Sequence, residues 1–278
     1  MNNLTNRVAA ATVTVMLALS LLSGCGDDAD DGGTKTDATA AQRVRDAVDT
    51  TLGLDSFTID SKAELQIQQQ QLEMTIAGSV DYADVVGDVT MRVDQSGQAG
   101  DVHILIDGQN AWVSASGTGV PELPDGTEWV HGDAERLSSA PSFTQTGLIG
   151  VVLVLRGAED VRSEGSDEID GQSVERYSTS LTYQEALDAA GDDAEAFKSS
   201  FSLTGQATSS TLHVTVALDD DGVIRELAID IDSDFPVDGT FSLTVDDPNG
   251  EVAKPDAPDS ATVATGPEGD ALFEQMLS

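Results

Sequence analysis

Apolar and polar residues alternate along most of the chain from Phe57 to Val245, in about ten segments with a period of two. Because successive side chains of a strand point to opposite faces of a sheet, such segments predict strands with one apolar and one polar face. The turn dipeptides Asp107-Gly108 and Asp170-Gly171 separate neighbouring segments. The pattern therefore predicts a wide antiparallel sheet whose apolar face must be covered.

Other segments have helical patterns that can supply this cover. Residues 44–52 place their apolar side chains on one helical face and end at Gly53. Thr182 and Glu185 form a capping box that predicts the start of a second helix. Residues 270–277 predict a short helix at the end of the sequence.

Residues 147–155 are apolar all round, so their periodicity does not separate a buried strand from a buried helix. The valines of this segment favour a strand. Its place between two sheet segments, with Ser142 and Thr144 as possible N-caps, favours a helix, and we predict a helix. The segment is too short to span a membrane.

The predicted fold follows from this order of elements. A sheet of this width twists and curls, and helices can cover its concave side. The predicted fold class is α+β: a curled antiparallel sheet, in the form of an open half-barrel, with helices plugging its concave apolar face. Where the helices leave space, an apolar cavity remains. The residues predicted to line it are Ile76, Met91, Ile104, Leu148, Ile149, Val152 and Leu155.

The first 24 residues have the pattern of a secretory signal peptide. Arg7 is their only charged residue, and the apolar run of residues 8–22 follows it. This run of about 15 residues is shorter than the roughly 20 that a transmembrane helix needs. We therefore predict that residues 1–24 are a signal peptide; an uncleaved anchor is the alternative.

Cys25 is the single cysteine of the chain, and Leu22, Ser23 and Gly24 precede it. This tetrapeptide resembles the lipobox of bacterial lipoproteins. The resemblance implies cleavage before Cys25, diacylglycerol on its thiol and acylation of the new amine, as with palmitate. It places the protein on the extracytoplasmic face of the cell membrane, with the membrane itself as a partner through this anchor.

The mature chain then divides into a tether and a domain. Residues 25–37 are acidic and glycine-rich, which predicts a lipidated, flexible tether. Its 12 residues after the cysteine reach at most about 40 Å, so the domain works near the membrane. Residues 38–278 are predicted to form a single domain. With Cys25 used by the anchor, this domain contains no disulfide.

Charge excludes some partners. Without Arg7, the chain has 12 of its 13 Lys and Arg residues and all 50 Asp and Glu residues, which gives a net charge of −38. Such a field repels phosphate backbones, so nucleic-acid binding is not expected. It also disfavours a charge-driven attachment to anionic lipids. A cationic envelope protein remains a possible partner.

The sequence shows no pattern of catalytic or metal-binding residues. His103, His131 and His213 are scattered without a partner at metal-ligand spacing. His103 and His213 fall on the polar faces of their strands, which predicts solvated residues. No GxSxG, HExxH or Walker motif is present. We predict no enzyme, no cofactor and no metal site.

The lipobox, the short N-terminal helix, the long run of antiparallel strands and the two interrupting helices are similar to LolA/LolB-like lipoproteins. Among these, the chain resembles the LppX/LprG (LppX_LprAFG) lipoprotein family of actinobacteria. The resemblance covers most of residues 40–250 and depends on the order of the elements. It implies an open half-barrel that holds acyl chains or glycolipids and carries them away from the cytoplasmic membrane.

Two functions follow. The first is a membrane-anchored lipoprotein that binds a lipid or glycolipid in an apolar cavity, for carriage in the cell envelope. The alternative is an acidic extracytoplasmic binding or sensor module that docks a cationic protein and carries no lipid. The volume of the cavity distinguishes them, and the low aromatic content of 4% favours an unfilled one.

Overall fold

The alternating segments form one twelve-stranded sheet. The computed structural model describes residues 38–67, 70–118, 123–138, 149–200, 210–232 and 237–277. In chain order the strands are β1 Ser56–Ile67, β2 Gln70–Asp81, β3 Val86–Gln95, β4 Gln98–Asp107, β5 Asn110–Gly117, β6 Trp129–Asp133, β7 Arg162–Ile169, β8 Gln172–Thr182, β9 Thr211–Asp219, β10 Ile224–Asp232, β11 Val237–Asp246 and β12 Val263–Ala264.

The sheet is open. Its order is β12-β6-β5-β4-β3-β2-β1-β11-β10-β9-β8-β7, so β12 and β7 are its two edges. Neighbouring strands are antiparallel except β12, which runs parallel to β6. The first and last long strands, β1 and β11, pair in the middle of the sheet and join its two halves.

Helices follow the predicted segments, with additions. They are α1 Ala38–Leu52, α2 Ala134–Ser138, a 3₁₀ helix Gly150–Gly157, α3 Tyr183–Ala190, α4 Ala194–Ser200 and α5 Gly266–Leu277. Single 3₁₀ turns also lie at Gly191–Asp193 and Ser260–Thr262. Within the described ranges, none of the helices has the length and apolar character that crossing a membrane requires.

The apolar face of the sheet carries two hydrophobic clusters. The large cluster joins β1–β3 and β8–β11 to α1, the 3₁₀ helix, α3 and α4. The small cluster joins β4–β6 to α2 and α5; it contains Ile104, Ala111, Val113, Val130, Ala134, Leu137 and Phe273. Val89 of the large cluster is the cross-strand partner of Ile104 of the small cluster, so both clusters lie on one face.

The structure confirms the predicted fold class, an α+β arrangement of a curled, open antiparallel sheet with helices on its apolar face. Helix α1 ends before Gly53 as predicted, and its Val44, Ala47 and Val48 side chains are buried. At α3, both hydrogen bonds of the capping box between Thr182 and Glu185 are present.

The central apolar segment is a helix, but of the 3₁₀ type. All six residues from Gly150 to Leu155 are buried. A helix that is enclosed on every side needs no apolar stripe, which explains why its sequence is apolar all round. The proposed caps Ser142 and Thr144 lie outside the described residues.

Helix α2 and strand β12 were not predicted, and both belong to the half of the sheet that the small cluster covers. Helix α2 has five residues and β12 has two, too few for a period to be visible. Helix α5 packs directly on β6 because Gly132 has no side chain. A Cβ atom there would lie 2.5 Å from the ring of Phe273.

Candidate functional site

An apolar cavity of about 170 Å³ lies between the large and the small cluster. Val80 and Val89 of the large cluster form part of its wall, and Ile104, Ala134 and Leu137 of the small cluster form another part. The remaining lining residues are Asp81, Tyr82, Val85, Val86 and Ile106. The cavity thus lies at the boundary between the two clusters.

Gly87 lies between two residues of the cavity wall. The strand register places Val80, Gly87 and Ile106 side by side on β2, β3 and β4. A Cβ atom at Gly87 would lie 3.4 Å from Cγ1 of Val80 and 3.6 Å from Cδ1 of Ile106, which is ordinary van der Waals contact. The glycine therefore leaves room for a methyl group between two apolar side chains.

An apolar track continues from the cavity along the middle strands. We define it as Met74, Ile76, Met91, Val93 and Val102. Met74 pairs with Val93, while Met91 pairs with both Ile76 and Val102, so all five share the apolar face. Along β3 the exposed fraction rises from 3% at Val89, through the half-buried Met91, to 40% at Val93.

The two ends of this region are open to solvent. Among the described residues, the large apolar side chains that are exposed are Val85 and Val93, each at 40%. Val85 precedes β3 and lines the cavity, whereas Val93 lies near the other end of the strand. The cavity and the track together form an apolar path beside β3 between these two valines.

Tyr82 lines the cavity, and its hydroxyl group is buried. Its ring lies 6.1 Å from the ring of Phe57, centroid to centroid. Its hydroxyl oxygen is buried and has no hydrogen-bond partner among the described residues. Burial raises the pKa of this hydroxyl above its usual value of 10.0, so it stays protonated and able to donate at ordinary pH.

The turn after Tyr82 is held by its neighbour. Oδ1 of Asp81 accepts hydrogen bonds from the backbone N–H groups of Ala83 and Asp84, at 2.9 and 2.8 Å. The Tyr82 amide donates to the carbonyl oxygen of Asp55 at 2.8 Å. The sequence therefore fixes the end of β2 and positions Tyr82 in the wall of the cavity.

The residues predicted to line a cavity fall into two groups. Ile104 lines the cavity, and Ile76 and Met91 are cross-strand partners in the track. Ile149, Val152 and Leu155 are fully buried in the large cluster and are not among the residues that line the cavity.

The remaining predicted site residues, Leu148 and the lipobox residues Leu22, Ser23, Gly24 and Cys25, lie outside the described residues. Sequence reasoning missed Tyr82 and Gly87 as site residues. Tyr82 follows the apolar positions of β2, and Gly87 lies on the apolar face of β3. Neither position indicates a cavity in the sequence. It also missed Ala134 and Leu137, because α2 was not predicted.

The arginines of a second, polar pocket already have partners. A pocket of about 470 Å³ is lined in part by Arg45 and Arg156. Arg156 pairs with Asp193 and Asp49 at 2.5 and 2.9 Å, and Arg45 donates to the carbonyl oxygen of Ala158 at 2.7 Å. These contacts join α1 and the turn after α3 to the 3₁₀ helix and the residue that follows it, and they are structural.

On the polar face, the Ser180 hydroxyl and Nδ1 of His213 are 2.8 Å apart. Both side chains are exposed, and no described carboxylate bonds to the imidazole, so this pair lacks the orienting third group of a nucleophile and its base. In the described ranges, no group of three or more His, Cys, Asp and Glu side chains could hold a metal ion.

Solved structures resemble this fold at low identity. The lipoprotein LppX of Mycobacterium tuberculosis is 18% identical, covers 79% of this chain and 100% of its own, and has a TM-score of 0.44. LprF from Mycobacterium bovis is 15% identical over 80% of this chain and 98% of its own, with a TM-score of 0.46.

The MucA/MucB complex of Pseudomonas aeruginosa is 14% identical over 83% of this chain and 62% of the matched chain, with a TM-score of 0.31. No family model matches the chain, and no curated protein sequence matches it. At these identities, no residue role or ligand passes from those proteins to this chain.

Proposed function

We propose that this protein is an exported lipoprotein of the LolA/LolB-like kind, related to the LppX/LprG family. Cleavage before Cys25 leaves it anchored on the extracytoplasmic face of the cell membrane. It binds an acyl chain of a lipid or glycolipid and carries it within the envelope. The observation that supports this best is the apolar path beside β3, which combines a cavity with a partly exposed track.

The path has the length that an acyl chain needs. At a rise of about 3.3 Å per residue, the positions of Gly87 and Val93 lie about 20 Å apart. One acyl chain spans about half of the ~30 Å hydrocarbon core of a bilayer. Each buried methylene contributes about 0.8 kcal/mol before the costs of ordering. The burial of an acyl chain along this path therefore provides enough free energy to hold the ligand.

The cavity alone is too small for the whole ligand. Its volume of about 170 Å³ is below the roughly 300–1,000 Å³ of ordinary ligand pockets. Part of the chain therefore occupies the cavity and the rest covers the track. Met74 and Met91 suit this role because their flexible thioethers adapt to chains of different shape.

The anchor and the charge fit the same role. A tether of 12 residues keeps the domain within about 40 Å of the membrane that supplies the lipid. The net charge of −37 over the full sequence keeps the surface from adhering to anionic headgroups. The apolar path then remains the point of contact with lipid, and we assign the protein no catalytic activity.

A second candidate function is a docking module without cargo. It is favoured by the complete burial of Ile149, Val152 and Leu155, which shows that the helices fill much of the concave side with their own side chains. In this case the acidic surface would bind a cationic protein, and the association would weaken with salt.

Native mass spectrometry separates the two functions. The mature chain carrying Cys25→Ser, which has no anchoring acyl chains, would be exported and purified gently from a lipid-rich host. We expect a bound mass of a diacyl lipid or glycolipid that solvent extraction removes, and uptake of a fluorescent acyl probe afterwards. A ligand-free mass from several hosts, with no probe uptake, would contradict lipid binding and favour docking.

A further inference from the structure

Strand β7 stops pairing with β8 before β8 ends. The last pair joins Arg162 to Ser178, whereas β8 continues to Thr182. In the register of that last pair Asp160 would lie opposite Ser180, but these two residues are not paired. The edge of β8 is therefore uncovered at Ser180, on the side away from β9, and we call this position the open edge of β8.

The backbone of Ser180 points towards the open edge. Directly after β8, the Tyr183 amide donates to the carbonyl oxygen of Ser210 at 3.0 Å, which is a hydrogen-bonded pair with the chain that leads into β9. Such pairs alternate along an antiparallel ladder, so the even-numbered residues of β8 bond away from β9. The even-numbered Thr182 donates its amide to Oε2 of Glu185 at 2.7 Å. The N–H and C=O groups of Ser180 have no such partner among the described residues.

Two clefts, of about 470 and 370 Å³, flank the open edge, and Asp160 and Ser180 line both of them. The larger cleft is on the helical side, where residues of α1, the 3₁₀ helix and α3 form its walls. The smaller cleft is on the polar face, where His213 is the cross-strand partner of both Ser180 and Asp230. Because side chains alternate between the faces of a sheet, a strand added at this edge would direct successive side chains into the two clefts.

The charge of the clefts indicates what such a strand would carry. The carboxylates that line them are Glu159, Asp160, Glu185 and Asp188 in the larger cleft and Asp160 and Asp230 in the smaller one. The two arginines of the larger cleft already bond within the protein, and the smaller cleft has one arginine, Arg162. Asp160 and Asp230 are both exposed. Basic side chains would therefore find carboxylate partners in either cleft, whereas acidic ones would be repelled.

We propose that the open edge of β8 is a docking site for an extended, basic segment of another polypeptide. The segment pairs with β8 beyond the end of β7, exchanges hydrogen bonds with the N–H and C=O groups of Ser180, and places successive Lys or Arg side chains in the two clefts. In strand addition of this kind, main-chain hydrogen bonds give affinity and side-chain pockets give specificity. A second copy of this chain is a poor occupant, because the net charge of −37 makes two copies repel each other.

This docking site adds a partner to the proposed lipid binding and does not depend on it. The two clefts share no lining residue with the apolar cavity between the clusters. Variants at the open edge should therefore take up a fluorescent acyl probe as the parent does, so the two proposals can fail separately.

The test uses the mature Cys25→Ser chain and the acetylated, amidated peptide Thr-Val-Lys-Lys-Val-Thr. We expect the peptide to bind, to bind more weakly as salt is added, and to slow hydrogen exchange of the Ser180 amide, measured by NMR. The peptide with Glu in place of both Lys residues should not bind. The peptide with Pro in place of both Val residues has the same charge but cannot pair as a strand. It should bind about three- to tenfold more weakly, the worth of one hydrogen bond.

Two substitutions that change the net charge equally provide a matched pair. Asp160→Lys removes an attractive charge from both clefts and adds a repulsive one, and it should weaken binding of the lysine peptide about tenfold. Asp60→Lys is the control, since Asp60 is exposed on β1, and three strands separate β1 from β8. At about 19 Å from the open edge, its charge is screened at physiological salt, and affinity should change less than twofold.

Each result supports or overturns the inference. Equal binding of the valine and proline peptides, or unchanged exchange at the Ser180 amide, would show that charge alone attracts the peptide and that no strand is added. Equal losses in Asp160→Lys and Asp60→Lys would place the peptide elsewhere on the acidic surface. Absence of binding by the lysine peptide would also overturn the docking site, and acyl-probe uptake would still decide lipid binding.

Discussion

The two halves of the sheet share one alternating pattern and differ in what covers them. On the half formed by β1 and β8–β11, α1, the 3₁₀ helix, α3 and α4 bury the apolar side chains almost completely. On the half formed by β2–β6, the large cluster includes only Leu72, Val80 and Val89, and the small cluster with α2 and α5 covers β4–β6. The track from Met91 to Val93 is therefore covered only in part.

This difference teaches that an identical strand pattern can serve two purposes. A tightly covered apolar face stabilises the fold, because close packing leaves no room for a guest. A loosely covered face keeps apolar surface available to a ligand. In this molecule, the domain's stability comes mainly from the large cluster, and the proposed ligand occupies the boundary with the small one.

The largest expected effect comes from deleting side-chain volume in the large cluster. Leu155 is fully buried, so Leu155→Ala should lower the free energy of unfolding by about 3–5 kcal/mol through lost burial and a new cavity. Met91→Ala, on the half-buried track, should cost about 1 kcal/mol. Urea unfolding measures both; equal losses would contradict the contrast between the two halves.

Filling the cavity should separate binding from stability. Gly87→Ala places a methyl group between Val80 and Ile106 without a clash, and Gly87→Val extends further into the cavity. We expect Gly87→Val to weaken binding of an acyl probe at least about tenfold, the worth of two lost methylene contacts. The free energy of unfolding of Gly87→Ala, measured by thermal unfolding, should be unchanged or higher by less than about 1 kcal/mol.

Thr90, which is exposed on the opposite face of β3, provides the matched control for that substitution. Thr90→Ala should bind the probe as the parent does. Retained affinity in both Gly87 variants would show that the acyl chain lies elsewhere.

Charging the track should affect the ligand more than the fold. Val93 is 40% exposed, so Val93→Asp should cost less than about 0.5 kcal/mol of stability, as surface changes do. The carboxylate would face the acyl chain, and probe affinity should fall severalfold. Thr90→Asp adds the same charge on the opposite face and should have no effect; a similar loss in both variants would indicate a general effect of charge.

The smallest expected effect concerns alkaline pH. Burial raises the pKa of Tyr82 in the folded state, whereas in the unfolded chain it is about 10. The stability from its neutral form is therefore fully present below pH 10 and is lost as the pH rises through the folded value. Between pH 9 and pH 11, the free energy of unfolding of the parent should fall by about 1 kcal/mol more than that of Tyr82→Phe. Parallel pH profiles of unfolding for the two proteins would contradict this burial.

Much of the fold could be predicted from the sequence, because local patterns carried it. Alternation predicted the long strands, one-sided apolar residues predicted α1, and the capping box at Thr182 predicted the start of α3. The 3₁₀ type of the central helix, α2 and β12 were not predictable. Their conformations depend on what packs around them or on a pairing with β6 that is distant in sequence.

The site was less predictable than the fold for a related reason. The cavity is the space that the two clusters leave unfilled, so the pattern of a single segment does not reveal it. Apolar character pointed to Val152 and to Ile104 alike, yet the first is enclosed in the large cluster and the second lines the cavity. In the sequence Tyr82 occupies an ordinary apolar strand position, and only the structure shows that its hydroxyl is buried without a partner among the described residues.

The most direct test of the central claim is methyl NMR on the mature Cys25→Ser chain with a methyl ester that carries a spin label on its hydrocarbon chain. We expect the label to broaden the methyl signals of Met91 and Val93 and to leave those of Leu227, in the large cluster, sharp. Broadening confined to the large cluster, or to no methyl group at all, would contradict an acyl chain that lies beside β3.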